Sequence, residues 1–411
     1  MKSRVLFVDD EQNILDALRR MFHDMRDEWD MAFAPGGREG LAMMAEGPFD
    51  VAVSDMRMPG LDGAEFLGEV RRLYPQTVRI ILSGHSDQEM IMRTVKPAHQ
   101  FLHKPVKPEE LKRLIRRAAR LKNVFLEDAV KDVVSTIDSL PSAPRIYLEL
   151  IEEIAKDTCS AKSVADLVSL DVGMSAGILK LVNSAFFGQR ERISSIAHAV
   201  NLLGTEIIKS LIVYLDFFTK FNKAAFPDFD LEMLWGHSLT AGLFARTIAK
   251  ANGAPDSLTD ECHIAGLLHD VGKLVLAVNF EARYAQVLAR CRAENRTVWE
   301  VEKQLLKTSH AEVGAYLLGL WGLSDQVVTA VLHHHEPANA AGGDFSPLTA
   351  VHAANVLAHE QVVIHAGFAR RALDTEYLGA VGCLEKIAVW REACAAALPE
   401  EDLVGSENSV H

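Results

Sequence analysis

The first part of the chain, to about residue 120, alternates short apolar runs with amphipathic stretches. The apolar runs have the length of single strands and end in polar residues, as in "RVLFVDD", "DVAVSD", "VRIILSG" and "HQFLHKP". The stretches between them carry apolar residues at helical spacing, as in "NILDALRRMF". Strands that alternate with helices predict a parallel sheet with helices on both faces, which is an α/β fold.

The strand pattern disappears after Pro141, and the rest of the chain is predicted to be all-helical. Segments such as "RIYLELIEEIA" and "LTAGLFARTIAKANG" have helical periodicity, and Gly or Asn ends several of them. A charged helix over Glu109–Asp132 is predicted between the two halves. Its basic face is interpreted as a solvated surface, because no aromatic residue or second basic element points to nucleic-acid binding.

Composition narrows the class of protein. A chain of 411 residues with 49% hydrophobic and 24% charged residues is typical of a globular protein of two or three domains. The net charge of -13 disfavours contact with nucleic acid or an anionic membrane. The five cysteines form no CxxC pair, and there is neither a signal-like start nor an apolar run of membrane-spanning length. We therefore expect reduced thiols, a cytoplasmic protein and no membrane partner.

Five polar residues, Asp9, Asp10, Asp55, Ser83 and Lys104, fall at the predicted C-terminal ends of strands, where open parallel sheets build their sites. Three converging carboxylates repel one another and need a cation, and oxygen ligands suit Mg²⁺. A carboxylate beside Mg²⁺ can accept a phosphoryl group, while a lysine supplies a point charge and a serine a hydroxyl for the phosphoryl oxygens. The sequence therefore predicts a phosphoryl-accepting acid pocket.

The stretches "FVDDE", "VSDMRMPGLDG", "ILSG" and "FLHKP" occur in this order over residues 1–121. In these stretches the chain resembles the receiver domain of two-component response regulators. The resemblance implies a doubly wound, five-stranded parallel sheet of the flavodoxin-like kind and a sensor histidine kinase as partner. It also implies that Asp55 is the phosphoacceptor. Mg²⁺ would be held by Asp10 and Asp55, with Asp9 in support through water and the Arg57 carbonyl as a further ligand.

The same resemblance assigns roles to three further residues. Ser83 and Phe101 occupy the switch positions of the family, and Lys104 is its lysine. The Lys104–Pro105 peptide bond is expected to be cis.

The helical half contains candidate metal ligands on separate predicted helices: His237, His269, Asp270, His310 and, within the run His333–His335, His334. Imidazole and carboxylate ligands together suit Zn²⁺, Mn²⁺ or Fe, and such a metal can activate water against a phosphodiester. The alternative is that each histidine is a packed core residue. A transition-metal site in this half is therefore one of two interpretations.

The stretches "MSAGILKLVNSAFFG", "AGLLHDVGKLVL", "HAEVGAYLLGLWGL" and "VLHHHEP" resemble the HDOD family, which is related to the HD phosphohydrolases. The resemblance covers about residues 130–340 and implies an all-α HD-like fold. The predicted organisation is a receiver over residues 1–121, a helical linker over 122–138, an HDOD domain over 139–340, and a C-terminal helical extension with a frayed tail over 341–411.

Two departures from active HD enzymes count against catalysis. Asn355 stands where those enzymes usually carry an Asp, and a neutral amide binds divalent cations more weakly than a carboxylate. HD-GYP enzymes follow their paired histidines with an Arg-containing stretch and Gly-Tyr-Pro, whereas this chain reads "HHHEPANAAGGDFSP" and has neither. We therefore predict a non-catalytic HDOD output that binds a downstream protein partner, with a homodimer left open. The alternative is a metal-dependent phosphohydrolase of cyclic di-GMP. A DNA-binding regulator is disfavoured, because no recognition helix is recognisable.

Overall fold

The computed structural model describes residues 2–83, 97–122, 131, 134–135, 137, 144–154, 156, 158–183, 193–204, 208, 231–340, 342–361 and 369–398. The chain divides into two compact units. The first comprises Met1–Lys220 with Tyr316–Leu323, and the second comprises Phe221–Ala315 with Ser324–His411.

The first unit contains a parallel sheet of five strands in the order β2-β1-β3-β4-β5. The strands are β1 (Ser3–Val8), β2 (Trp29–Ala34), β3 (Val51–Asp55), β4 (Val78–Ser83) and β5 (Gln100–His103). The helices between and after them are α1 (Gln12–Met21), α2 (Gly37–Glu46), α3 (Gly63–Leu73) and α4 (Pro108–Lys122), with a 3-10 turn at His23–Met25. The predicted doubly wound parallel sheet is confirmed.

The central strands form the core of this sheet. Val5, Leu6 and Phe7 of β1 are fully buried, and all five residues of β3 are buried. Continuous apolar strands are what a parallel sheet covered on both faces requires. The acidic residues of the predicted pocket lie where the strands end, since Asp9 follows β1 and Asp55 is the last residue of β3.

The basic face of α4 has acidic partners. Lys112 Nζ lies 2.8 Å from Asp24 Oδ2, and the Arg116 guanidinium lies 2.8 Å from Glu28 Oε1. These ion pairs agree with the interpretation of a structural and solvated surface. The predicted helix over Glu109–Asp132 is described only as far as Lys122, and most of the predicted linker lies outside the described residues.

The rest of the first unit is helical, with α5 (Pro144–Ile154), α6 (Ala161–Ser169), α7 (Val172–Val182) and α8 (Ile196–Leu203). Gly204 ends α8 with a φ of 76°, a left-handed conformation that favours glycine. Residues Tyr316–Leu323 also group with this unit.

The second unit is all-helical, as predicted. Its helices are α9 (Leu231–Ala251), α10 (Asp256–Leu268), α11 (Val271–Asn279), α12 (Glu281–Glu294), α13 (Val298–Leu306), α14 (His310–Leu320), α15 (Asp325–His333), α16 (Pro347–Gln361), α17 (Thr375–Ala380) and α18 (Ile387–Ala396), with 3-10 turns at Pro337–Asn339 and Leu384–Lys386. The last residues of α14 fall in the first unit. In the C-terminal extension, the side chains of Trp390 and Cys394 are buried. The predicted frayed end after residue 398 lies outside the described residues.

The cysteines and the lengths of the helices bear on two predictions from the sequence, reduced thiols and the absence of a membrane-spanning helix. All five cysteines are free thiols. Among the helices of the described residues, none combines the length and the apolar character needed to cross a bilayer.

Candidate functional site

The sheet brings two acidic residues and one lysine together. Lys104 follows β5. Its Nζ lies 2.9 Å from Asp9 Oδ2 and also forms an ion pair with Asp55 Oδ1. The Asp9 and Asp55 side chains are only 2% and 11% exposed, so their charges need this cation. The peptide bond between Lys104 and Pro105 is cis, as predicted.

Backbone donors fix both carboxylates. The Glu11 N–H donates to Asp9 Oδ1 at 2.9 Å, and the Arg57 N–H donates to Asp55 Oδ2 at 2.7 Å. Gly63, the first residue of α3, packs directly against the backbone of Asp55. A Cβ at this position would clash with the Asp55 carbonyl oxygen. The glycine at position 63 is therefore required by the close packing of α3 against the end of β3.

The remaining predicted receiver residues lie in or next to the strands of the same sheet. Asp10 follows Asp9 with an exposed side chain, and Arg57 is exposed as well. Ser83 and Phe101 occupy β4 and β5, but their side chains lie outside the described part of the structure. Asp9, Asp10 and Asp55 offer only oxygen donors, and this set suits Mg²⁺.

Burial and ion pairing act against each other in the acid pocket. Burial raises the pKa of Asp55 above its ordinary value, and Lys104 offsets this only in part. Burial alone would lower the pKa of Lys104, but its hydrogen bonds to Asp55 and Asp9 raise it. Lys104 therefore remains a cation next to a carboxylate that is costly to keep ionised.

In the second unit the five predicted metal ligands come together in one buried cluster. Each is at most 1% exposed. They arise from five places in the fold, namely His237 within α9, His269 after α10, Asp270 before α11, His310 at the start of α14 and His334 after α15.

Asp270 is shared by two groups of donors. Its Oδ2 lies 3.4 Å from His269 Nε2 and 3.8 Å from His237 Nε2. Its Oδ1 lies 3.2 Å from His310 Nε2 and 3.9 Å from His334 Nε2, and His335 completes this second group. Tetrahedral ligands at about 2.1 Å from a metal are about 3.4 Å apart, so the spacing in both groups fits a metal ion.

Hydrogen bonds at the far ring nitrogens orient three of these imidazoles. His269 Nδ1 lies 2.7 Å from the Gly266 carbonyl oxygen and His334 Nδ1 lies 2.7 Å from the Val331 carbonyl oxygen. A carbonyl can only accept, so each Nδ1 carries the proton and each Nε2 is left with a lone pair. His334 Nε2 is buried and has no hydrogen-bond partner among the described residues. Because buried polar atoms normally have a partner, this nitrogen fits the role of a metal ligand.

Glu302 supports the third imidazole and was missed by sequence reasoning. Its Oε2 lies 2.6 Å from His310 Nδ1, and the Tyr284 hydroxyl donates to its Oε1 at 3.1 Å. A carboxylate behind a metal-ligating histidine is a common arrangement, because it fixes the ring and raises its basicity. The one signal in the sequence is an acid eight positions before His310, inside an amphipathic helix.

The protonation states of three imidazoles suit a metal, whereas the pKa of His310 is lowered by burial but raised overall by Glu302 and Asp270. Burial lowers the pKa of His237, His269 and His334, so their rings are neutral near pH 7, as metal ligands must be. Burial alone would raise the pKa of Asp270, but His269 and the Lys273 ammonium hold it well below its usual value. Lys273 Nζ lies 2.6 Å from Asp270 Oδ2.

Asn355 takes the place that the sequence predicted for it. It is 5% exposed, and its Oδ1 lies 2.9 Å from His237 Nε2, so a neutral oxygen joins the group of His237 and His269. Asp270 remains the one carboxylate among the donor atoms of the two groups in the described part of the chain.

A pocket of about 70 Å³ opens beside the cluster and corrects one expectation. Sequence reasoning found no Arg close to the histidine run. The fold brings one there, since Arg371 lines the pocket and donates a hydrogen bond to the carbonyl oxygen of His335, 36 positions earlier. Arg370, Lys273, Trp299 and His359 line the same pocket.

Two family models match the chain. The model for the response regulator receiver domain matches residues 5–116, and the model for the HDOD domain matches residues 140–337. The chain belongs to the response regulators that join a receiver domain to an HDOD domain. The acid pocket thus lies in the receiver. Most of the histidine cluster lies in the HDOD domain, with Asn355 in the extension after the matched range.

Parts of this chain are similar to known proteins. An uncharacterized protein of Treponema pallidum is 29% identical over 53% of this chain and 41% of its own length. The hydrogenase transcriptional regulatory protein HoxA of Cupriavidus necator is 40% identical over 28% of this chain and 24% of its own length. The chain spans less than half the length of these curated relatives. The MmoQ response regulator structure from Methylococcus capsulatus is 22% identical, with 62% of this chain and 98% of that one covered and a TM-score of 0.49.

Proposed function

We propose that a sensor histidine kinase phosphorylates Asp55 and that the phosphorylated receiver regulates the HDOD domain. The observation that carries this proposal is the placement of Lys104 between Asp9 and Asp55, with the exposed Asp10 next to them. This arrangement provides a nucleophile, a fixed cation and carboxylates for a divalent ion at one sheet edge. Cytoplasmic localisation is part of the proposal.

The residues of this chain have distinct parts in the transfer. A carboxylate oxygen of Asp55 attacks the phosphorus of the donor, the bond from phosphorus to the donor nitrogen breaks, and an acyl phosphate forms. The Arg57 N–H, 2.7 Å from Asp55 Oδ2, holds the carboxylate in place. Lys104 moves its charge from the carboxylates to the phosphoryl oxygens. Held by Asp10, Asp55, the Arg57 carbonyl and, through water, Asp9, Mg²⁺ would offset the remaining negative charge.

Contacts inside the first unit offer a route from the receiver to the output. The Gln100 amide at the start of β5 donates to the Leu320 carbonyl oxygen at 3.1 Å, and Arg117 of α4 donates to the Leu323 carbonyl oxygen. Leu320 and Leu323 belong to the range matched by the HDOD model. We propose that Ser83 and Phe101 respond to the phosphoryl group and shift these contacts. A full switch between 1:99 and 99:1 needs about 5.5 kcal/mol of differential stabilisation.

For the output we propose binding of a downstream protein without catalysis. The lone ligand carboxylate Asp270 and the neutral Asn355 support this, because two adjacent divalent metals need more negative charge than one carboxylate supplies. DNA binding is not part of the proposal. A homodimer is compatible with it.

A second candidate, metal-dependent hydrolysis of cyclic di-GMP, is favoured by one observation. The imidazole Nε2 atoms converge on Asp270, and that of His334 has no hydrogen-bond partner among the described residues. The donors fit a transition metal, which when bound would supply a Lewis acid and an activated water.

The phosphorylation proposal is tested by intact mass after incubation with acetyl phosphate and Mg²⁺. We expect the wild-type protein to gain one phosphoryl group and Asp55→Asn to gain none. Asp27→Asn, which alters an exposed acid elsewhere in the receiver, is the matched control and should be labelled like the wild type. Full labelling of Asp55→Asn would reject the assignment.

The choice between the two outputs is tested by chromatography. We expect no linear product or GMP from cyclic di-GMP, even when the protein is loaded with Mn²⁺ or Fe²⁺. Asn355→Asp restores the second carboxylate and should raise the bound metal content without changing the fold. Metal-dependent product that disappears in the His269→Ala, Asp270→Ala double variant would establish the enzyme instead.

A further inference from the structure

The pocket beside the histidine cluster concentrates positive charge in an acidic protein. Its lining includes Lys273, Arg370 and Arg371 together with imidazoles, and within the described residues it includes no Asp or Glu. The chain as a whole carries a net charge of -13. Asp270 neutralises the charge of Lys273 from behind the pocket, but the two arginines keep their positive charges in this concave site and oppose the field of the rest of the protein, and such a site attracts anions.

Each of the two arginines keeps N–H donors that are available for a ligand. Arg371 donates to the His335 carbonyl oxygen, and Arg370 donates to the His359 carbonyl oxygen at 2.6 Å. Neither pairs with a carboxylate within the described part of the chain. A guanidinium has five N–H donors, so each arginine can still bind an oxyanion through two of them.

Trp299 positions one of these arginines. The Arg371 guanidinium lies 4.5 Å from the centre of the Trp299 ring, and Lys303 Nζ lies 4.1 Å from it. Trp299 itself is 8% exposed and is held at the start of α13, where Thr297 and Glu300 form a capping box. The indole is thus a fixed platform, and the cation–π contact restricts the guanidinium to one side of the pocket.

From this arrangement we propose that the HDOD domain binds a small phosphate monoester, with its phosphoryl group in this pocket. A monoester carries nearly two negative charges and three strong acceptor oxygens, which match several convergent cations better than a carboxylate or a diester does. The pocket, about 70 Å³, is smaller than the roughly 150 Å³ cavity that admits a benzene ring. The phosphoryl group enters it, and the remainder of the ligand extends outward past the exposed Arg370.

This inference concerns binding only and depends on neither phosphorylation of Asp55 nor a bound metal. Arg371 would be a binding residue, and Trp299 a positioning residue that acts through it. The ligand would be a second input to the response regulator, separate from the receiver.

The test is calorimetric titration of the full-length protein in EDTA with GMP, guanosine, inorganic phosphate and cyclic di-GMP. We expect GMP to bind, guanosine not to bind, and cyclic di-GMP to bind at least about tenfold more weakly than GMP, because each of its phosphates carries a single charge. If inorganic phosphate binds as tightly as GMP, the pocket recognises the phosphate group alone, and this outcome also supports the site. Binding of guanosine as tight as that of GMP, or of none of the four probes, would overturn the proposal.

Variants locate the site. Arg371→Ala should weaken GMP binding by at least about tenfold, and Arg371→Lys should recover only part of it because the paired N–H donors are lost. Trp299→Phe keeps an aromatic face and should weaken binding less than Trp299→Ala. Arg290→Ala removes an arginine of α12 that pairs with Glu294 outside the pocket and should leave binding unchanged. Unchanged affinity in a folded Arg371→Ala protein would refute the assignment. Asp55→Asn should bind GMP normally, so a failure of the phosphorylation proposal would be seen separately.

Discussion

The acid pocket and the histidine cluster both contain buried carboxylates, but the pKa of the carboxylate is shifted in opposite directions in the two regions. In the receiver, two nearly buried carboxylates share one lysine, and burial keeps the pKa of Asp55 raised. In the cluster, one buried carboxylate is surrounded by a lysine and imidazoles, and the pKa of Asp270 is held well below its usual value. Ionisation of Asp55 is therefore costly in the folded state, whereas the folded state depends on Asp270 as an anion.

The largest expected effect is the loss of the Asp270 charge. In metal-free protein, Asp270→Asn leaves the largely buried Lys273 without its partner at 2.6 Å and should lower the free energy of unfolding by about 3 kcal/mol or more. Asp55→Asn should leave stability unchanged or raise it, because the folded state disfavours the ionised form there. Urea unfolding of both variants in EDTA measures the difference.

A double variant controls for this explanation. Asp270→Asn combined with Lys273→Met removes both charges and should be more stable than Asp270→Asn alone. The contrast between the two regions is wrong if Asp55→Asn and Asp270→Asn cost the same.

The next effect concerns the packing of Gly63 against Asp55. Gly63→Ala introduces a methyl group against the Asp55 carbonyl oxygen, so α3 or β3 must shift, at a cost of about 1–3 kcal/mol. Because the shift displaces Asp55, labelling by acetyl phosphate should also slow. Gly68→Ala is the matched control on the same helix. It meets no neighbour within 4 Å and should raise stability by about 0.5–1 kcal/mol. Equal effects of the two variants would show that Gly63 has no packing role.

The smallest effect is on the pH dependence of stability. Burial lowers the pKa of His334 below the unfolded value of about 6.5, so the unfolded chain binds a proton that the folded protein excludes. At high pH the ring is neutral in both states, so this histidine does not affect the free energy of unfolding. As the pH falls through the pKa that the histidine has in the unfolded chain, protonation of the unfolded chain lowers the free energy of unfolding. Between pH 7.5 and 6.5, His334→Asn should reduce the pH dependence of the free energy of unfolding by about 0.4 kcal/mol.

The measurement is urea unfolding of metal-free protein at the two pH values. His23→Asn changes an exposed histidine of the receiver and should leave the pH dependence as in the wild type. A steeper pH dependence in His334→Asn would contradict the assignment of a neutral buried ring.

The acid pocket was largely predictable from the sequence. Parallel strands end at a common edge, so polar residues at the ends of β1, β3 and β5 must lie near one another once the strands are recognised. Asp9, Asp55 and Lys104 were found in this way, and the structure brings them into contact. The requirement for Gly63 was not found, because it depends on how closely α3 approaches β3.

The sequence by itself determined the parallel sheet, the helical second half and five residues of the cluster, because periodicity and local motifs depend on positions that are neighbours in the chain. Only the tertiary structure decided that Asp270 is shared between two groups, that Glu302 supports His310, and that Arg371 reaches the histidines from a later segment. These contacts depend on how helices distant in sequence pack against one another. Helical periodicity specifies which face of a helix is buried, but it leaves open which residues of another helix that face will meet.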